Sequence, residues 1–223
     1  MNSTATDPTG SPDGPPASEQ PPTWAYEMRP ITTAADRAVA AALIEDRRQW
    51  LAQRGLDSPA RVAEAFRDPR AEAVGLYDDD RGQEILVGCL LLHRQPDPPE
   101  GYDGSSPALT VSLAYSAPGR TARAGWLITL WLADFAARTG RKWVYAEAPG
   151  RHPRFDCTPC RLLDHLRDLD WQVLGPGHDS DGHRVVRLKL AAHAHPDLAA
   201  LIHCTVPLHP AETRHEPEEG TTR

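Results

Sequence analysis

Hydrophobic positions along the chain change period several times, and each change marks an element. WAYEMRPI, from Trp24, alternates apolar and polar residues and predicts a first strand, with Pro30 at its edge or end. Val39, Leu43, Trp50 and Leu51 fall near one helical face and predict a helix over about 35–53, capped by Thr32 or Thr33 and stopped by Gly55. Ser58-Pro59 then starts a short helix to about Arg67. AEAVGLYDD and QEILVGCLLLHR are two strands joined by the turn formers Asp79-Asp80-Arg81-Gly82. The second is apolar on both faces, which predicts a central place in the sheet. After a polar, proline-rich loop over 95–107, ALTVSLAY is the fourth strand.

A longer helix follows over about 123–139, where Leu127, Trp131 and Phe135 recur every fourth residue with Ile128 and Leu132 beside them. Arg138 and Gly140 suit its C-terminus. KWVYAEA is a fifth strand, and CRLLDHLRDL is a helix with Leu162, Leu163, Leu166 and Leu169 on one side. WQVL and HRVVRLKLAA end the pattern as antiparallel strands across the turn GPGHDSDG. The order β-α-α-β-β-β-α-β-α-β-β predicts an α/β protein with a central mixed sheet flanked by helices. Residues 1–22, rich in Pro, Gly, Ser and Thr, are expected as a disordered tail. Residues 23–192 form the predicted domain, and 193–223 are expected as a flexible His/Pro-rich tail with room for one short helix at Pro196 to Ile202.

With 223 residues the chain has length for one full core, and its formal charge of −7 disfavours a general nucleic-acid partner. No apolar run reaches the ~20 residues of a membrane span. The N-terminus lacks the charged and apolar regions of a signal peptide, so the expected location is cytoplasmic. Four cysteines in a chain of 223 residues do not make a disulfide framework. The sequence is silent on oligomeric state and leaves a homodimer open.

Candidate chemistry concentrates in PGRTARAG, where a proline-glycine turn runs into the long helix. Helix N-termini carry unpartnered N–H groups and partial positive charge, so a strand, a tight turn and a helix start make an anion site. Small residues at Thr121, Ala122, Ala124 and Gly125 let a phosphate approach the backbone, and Arg120 and Arg123 add charge. This loop and the order of elements resemble the GNAT superfamily of N-acetyltransferases over Trp24 to Ala192. The family pattern Q/R-x-x-G-x-G/A reads Arg120-Thr121-Ala122-Arg123-Ala124-Gly125 here, with Arg123 at the middle glycine.

The resemblance implies acetyl-CoA as co-substrate and a primary amine, on a small molecule or a protein, as acceptor. It implies that backbone groups of Leu113 and Tyr115 pair with the pantetheine arm, that Arg120 to Gly125 hold the pyrophosphate, and that a splay between SLAY and WVYA admits the arm. Members supply an acid from a helix tyrosine shortly before a Gly-aromatic pair. Here that pair becomes Asp170-Trp171 and the tyrosine position falls on Leu166, beside His165. His165 is therefore the candidate acid, with Cys160 as an alternative. Glu147, at a strand end, is the candidate base, ahead of His93 and Glu27. A domain of this fold that has lost catalysis and serves as a binding module is the competing reading. A third rests on Asp156-Cys157-Thr158-Pro159-Cys160, read as a redox pair at a helix N-terminus or, with His152 and His165, as a zinc site.

Overall fold

The computed structural model describes residues 25–55, 61–80, 82–94, 102, 107–150, 158–179 and 182–209. The expected N-terminal tail lies outside them. In chain order the elements are β1 (Tyr26–Pro30), α1 (Ala34–Ala52), α2 (Val62–Arg67), β2 (Glu72–Asp80), β3 (Gln83–His93), β4 (Ala108–Ser116), α3 (Thr121–Arg138), β5 (Trp143–Pro149), α4 (Thr158–Asp168), β6 (Gln172–His178), β7 (Arg184–Ala191) and β8 (Ile202–Cys204). The strands form one sheet in the order β6-β7-β5-β4-β3-β2-β1-β8. Most neighbours are antiparallel; β4 with β5 and β1 with β8 run parallel. The fold is the mixed α/β sheet flanked by helices that the sequence predicts.

Two apolar layers hold the helices to the sheet. On one face Leu127, Trp131, Leu132 and Phe135 of α3 pack with Leu90, Leu109, Val144 and Leu188 from four strands. On the other, Ala40, Leu43 and Ile44 of α1 and Phe66 of α2 pack with Cys89 and Leu91 of β3. Thr33 caps α1 by accepting the Asp36 N–H at 3.0 Å. Arg37 is buried in α1, and its guanidinium donates to the carbonyls of Phe66 at 3.1 Å, Asp68 at 2.7 Å and Ala71 at 3.0 Å. One side chain thus fixes α2 and the entry to β2 against α1.

Three expectations need correction. Val39 is 52% exposed, because Ala40 and Ala41, not Val39, continue the inward stripe through Leu43 and Ile44. Leu162 likewise points outward on α4, and Leu163, Leu166 and Leu169 meet the core. The turn expected over GPGHDSDG is shorter: β6 runs on through Gly175-Pro176-Gly177-His178, with a register shift between Val173 and Gly175. Gly175 supplies the positive φ, 141°, and an edge strand tolerates the missing Pro176 N–H.

The boundary expected at 192 also shifts. Residues 193–209 do not hang loose: a 3-10 turn, Pro196–Ala200, leads into β8, which lies parallel to β1 with Ile202 opposite Tyr26. Leu198, Ile202 and Val206 recur every fourth residue and are buried. The Trp131 indole N–H reaches the Cys204 sulfur at 3.3 Å.

Candidate active site

The two parallel strands at the middle of the sheet part company. β4 and β5 pair only from Ala108 with Trp143 to Val111 with Ala146. Beyond that point β4 continues along β3 alone and β5 along β7 alone. A bulge marks the parting: Leu91 faces Leu113 and Leu92 faces Val111, so Ser112 is the extra residue on β4. The expected splay is thus present but begins later on β5 than expected. WVYA is the paired part, and Glu147-Ala148-Pro149 lines the gap opposite Ser112-Leu113-Ala114-Tyr115. The β4–β5 pairing does not extend past Val111 and Ala146 among the described residues.

At the open end of β4 the chain turns into α3. Ala117 accepts the Arg120 N–H at 3.2 Å across Pro118-Gly119, and Gly119 has φ 83°, the turn geometry that asks for glycine. Arg120 is the N-cap and gives no side-chain capping bond. The Ala124 N–H already bonds the Arg120 carbonyl at 3.1 Å, so the first-turn donors are the N–H groups of Thr121, Ala122 and Arg123. Two guanidiniums flank this turn and are drawn to the β1–β2 side: Arg120 pairs with Asp78, and Arg123 lies 5.1 Å from the Tyr26 ring centroid. Arg123 has ordinary negative φ, so glycine is not required at that position. A Cβ on Gly125 would meet only the His165 Nε2, at 3.7 Å, so nothing in the chain itself demands glycine there.

Glu147 stands on the α1–α2 face just past the parting point. It follows Tyr145 by two residues, and the Tyr145 ring packs against Tyr102 at a 45° tilt with ring centroids 4.4 Å apart. Tyr102 donates its hydroxyl to the Ala146 carbonyl at 2.9 Å, at the last paired residue of β5. The Glu147 residue is open to solvent, yet desolvation on its inner side raises its pKa above the ordinary carboxylate value; Arg187, opposite it on β7, works against this shift and Asp179 adds to it. Burial, and then Glu147, raise the Tyr102 hydroxyl in turn.

Of the other bases weighed, His93 lies on the β4 side of the gap, with Nε2 2.8 Å from the Oγ of the bulge residue Ser112. The Ser112 partner was not legible in sequence; no Gly or Pro marks the bulge. Glu27 is three strands away on β1, bound to Arg29 and Thr205, and drops out.

His165 comes from the opposite face. α4 packs Leu163, Leu166 and Leu169 into the α3 layer, and the His165 Nε2 is buried against α3 without a hydrogen-bond partner among the described residues. Glu147 and His165 are therefore on opposite faces of the sheet, with the gap between them. Leu166, where the resemblance expects a tyrosine, is partly buried against the α3 layer. The helix ends in a double cap, with Trp171 N–H to Leu166 and Asp170 N–H to Arg167, both 3.0 Å. Asp170 takes the left-handed conformation, φ 65°, where the family pattern has glycine. His152, Cys157 and the Cys160 side chain lie outside the described residues. Among the described residues no three His, Cys, Asp or Glu side chains gather as a metal site.

A cavity of about 520 Å³ lies elsewhere, between mid-α3, Trp171, His193 and His195. It adjoins Ala191, which pairs with Trp143 at the start of β5, the end away from Glu147. The candidate residues lie at the strand gap and none of them lines this pocket.

The chain is similar in fold to solved structures. Aminoglycoside N(6')-acetyltransferase from Legionella pneumophila superposes with a TM-score of 0.52 at 13% identity, over 79% of this chain and 95% of that one. The chain has the GNAT N-acetyltransferase fold. The ribosomal-protein-S18-alanine N-acetyltransferase from Escherichia coli gives 0.49 at 11% identity, covering 77% and 97% of the two chains. No protein-family model and no curated protein matches the sequence. Arg123 turns its side chain over Tyr26, and the backbone there keeps its helix start. No helix among the described residues is long and apolar enough to cross a membrane.

Proposed function

We propose that the protein transfers an acetyl group from acetyl-CoA to a primary amine. The observation that carries this reading is the parting of β4 from β5 at Val111 and Ala146, directly before the turn into α3. A strand edge left open over Ser112 to Tyr115 offers peptide-like pairing to the amides of pantetheine, through Leu113 and Tyr115. The α3 start, within Arg120 to Gly125, offers its N–H groups to the pyrophosphate. The residues fit the co-substrate: small side chains at Ala124 and Gly125, and two guanidiniums near the cradle but held off the backbone.

In the transfer, the neutral amine attacks the thioester carbonyl, a C–N bond forms and the C–S bond breaks. The amine proton goes to Glu147, directly or through water, and the departing thiolate takes a proton from His165. A raised carboxylate pKa suits Glu147 to this role, since a stronger base removes the proton more readily. His93 with Ser112 lines the same mouth and can relay the proton. The placement of acid and base on opposite faces suits a gap through which donor and acceptor meet from two sides.

Calorimetric titration of acetyl-CoA into the full chain tests the cradle. One micromolar site per chain is expected, and release of CoA thiol in the presence of amines tests turnover. Binding without turnover on any amine would make this a binding module on a GNAT scaffold. No binding at all would overturn the reading.

A further inference from the structure

The acceptor side of the gap is marked by cationic charge where the helix pattern calls for an apolar residue. The inward stripe of α1 runs through Ala40, Leu43 and Ile44, and one turn further it reaches Arg47. Leu43 and Ile44 belong to the same layer as Leu113 and Tyr115 of β4, so Arg47 projects over the stretch of β4 that has left β5. It is only partly exposed. Its guanidinium lies 4.4 Å from the Trp50 ring centroid, and that of Arg54 lies 3.6 Å from the same ring. Arg54 also donates to the Trp50 carbonyl at 3.0 Å. Desolvation, and then the Arg54 charge, lower the Arg47 pKa, while the Tyr115 hydroxyl raises it. Two guanidiniums are thus gathered on one indole beside the gap. Across the gap stand Glu147 and, in register with it, Arg187.

We propose that Arg47, with Arg54 beside it on Trp50, is an anion subsite of the acceptor pocket, and that the acceptor is a primary amine carrying a carboxylate. This rests on the acyl-transfer reading above. The amine is held toward Glu147 on β5 and the carboxylate toward α1, so the two ends of one small zwitterion span the mouth of the gap. The planar guanidinium matches a carboxylate in a two-bond fork, which gives direction as well as attraction. A polyamine or an uncharged amine lacks the group that this subsite takes.

The test is binding by calorimetry, with and without saturating coenzyme A, of glycine, L-leucine and L-phenylalanine, each against its carboxamide. At least one acid is expected to bind about tenfold tighter than its amide, the discrimination that one charge-assisted contact supplies. Arg47→Gln is expected to reduce that preference to less than about threefold, with the amide's affinity and the acetyl-CoA affinity unchanged. Arg54→Gln, at an exposed position, is expected to reduce it in part, and serves if Arg47→Gln does not fold. Amides that bind as well as the acids, a preference that survives both variants, or no binding by any of the six would overturn the subsite. The acetyl-CoA titration of the same proteins reads the donor site separately, so loss of the acyl-transfer reading and loss of the carboxylate subsite give different results.

Discussion

Glu147 is the residue whose environment makes the sharpest claim. Its pKa is raised in the folded chain, chiefly by desolvation. The folded state therefore favours the protonated form, and the associated stability is present below the unfolded pKa and lost as pH rises through the folded one. At neutral pH Glu147→Gln should leave the melting temperature equal or slightly higher while activity falls about 10²-fold or more, the scale of one positioned base. The pH profile gives a second readout. With neutral amine and ionised Glu147 both required, log kcat/KM should fall with slope two on the acid side, the second bend lying above the ordinary carboxylate range. In the Gln variant the slope should be one throughout. A wild-type slope of one would mean that no titrating base assists the step, and would overturn the role of Glu147. The place of Glu147 near the end of β5 was legible because a carboxylate stands out in an apolar stretch. Arg47 was not: an arginine among Glu45, Asp46 and Arg48 looks like a solvated face, and only the small side chains of Ala40 and Ala41 show that the buried stripe runs toward it.

At the scale of elements, α3 carries the test. Gly125 sits in its first two turns, where glycine costs about 1 kcal/mol of helix stability relative to alanine. A Cβ there makes only an ordinary contact with the His165 Nε2. Gly125→Ala should therefore fold and gain about 0.5–1 kcal/mol in urea denaturation. If the glycine is there for close approach of the co-substrate, the same variant should lose acetyl-CoA affinity by tenfold or more in calorimetry. A gain in stability with unchanged affinity would show that the phosphates do not pass Gly125. The helix itself was legible because Leu127, Trp131 and Phe135 repeat cleanly, and so was the strand-turn-helix junction before it. The bulge at Ser112 was not, since it is set by the register of β4 on β3, where long-range pairing rather than a local residue decides.

For the molecule as a whole, the sheet's free edge is the vulnerable place, and residues beyond 192 guard it. Composition hid this: His and Pro dominate the impression of the segment, while Leu198, Ile202 and Val206 carry the packing. β8 covers β1, and β1 is tied to the site, since Tyr26 pairs with Ile202 on one side and lies under the Arg123 guanidinium on the other. A chain ended at Ala192 loses three buried aliphatic side chains, each contributing about 1.5–3 kcal/mol. It also exposes β1 as an unpaired edge open to association. A loss of about 5 kcal/mol is comparable with the whole stability of many domains, ~5–15 kcal/mol. The shortened chain should accumulate as aggregate or melt at far lower urea. Ile202→Ala in the full chain should lose about 2–4 kcal/mol by the same route and stay soluble enough to measure. If β8 also steadies the cradle, that variant should bind acetyl-CoA more weakly at temperatures near its melting point and normally well below it. An Ala192-ended chain with an unchanged urea midpoint would return residues 193–209 to the status of a tail, and the domain boundary to where the composition had put it.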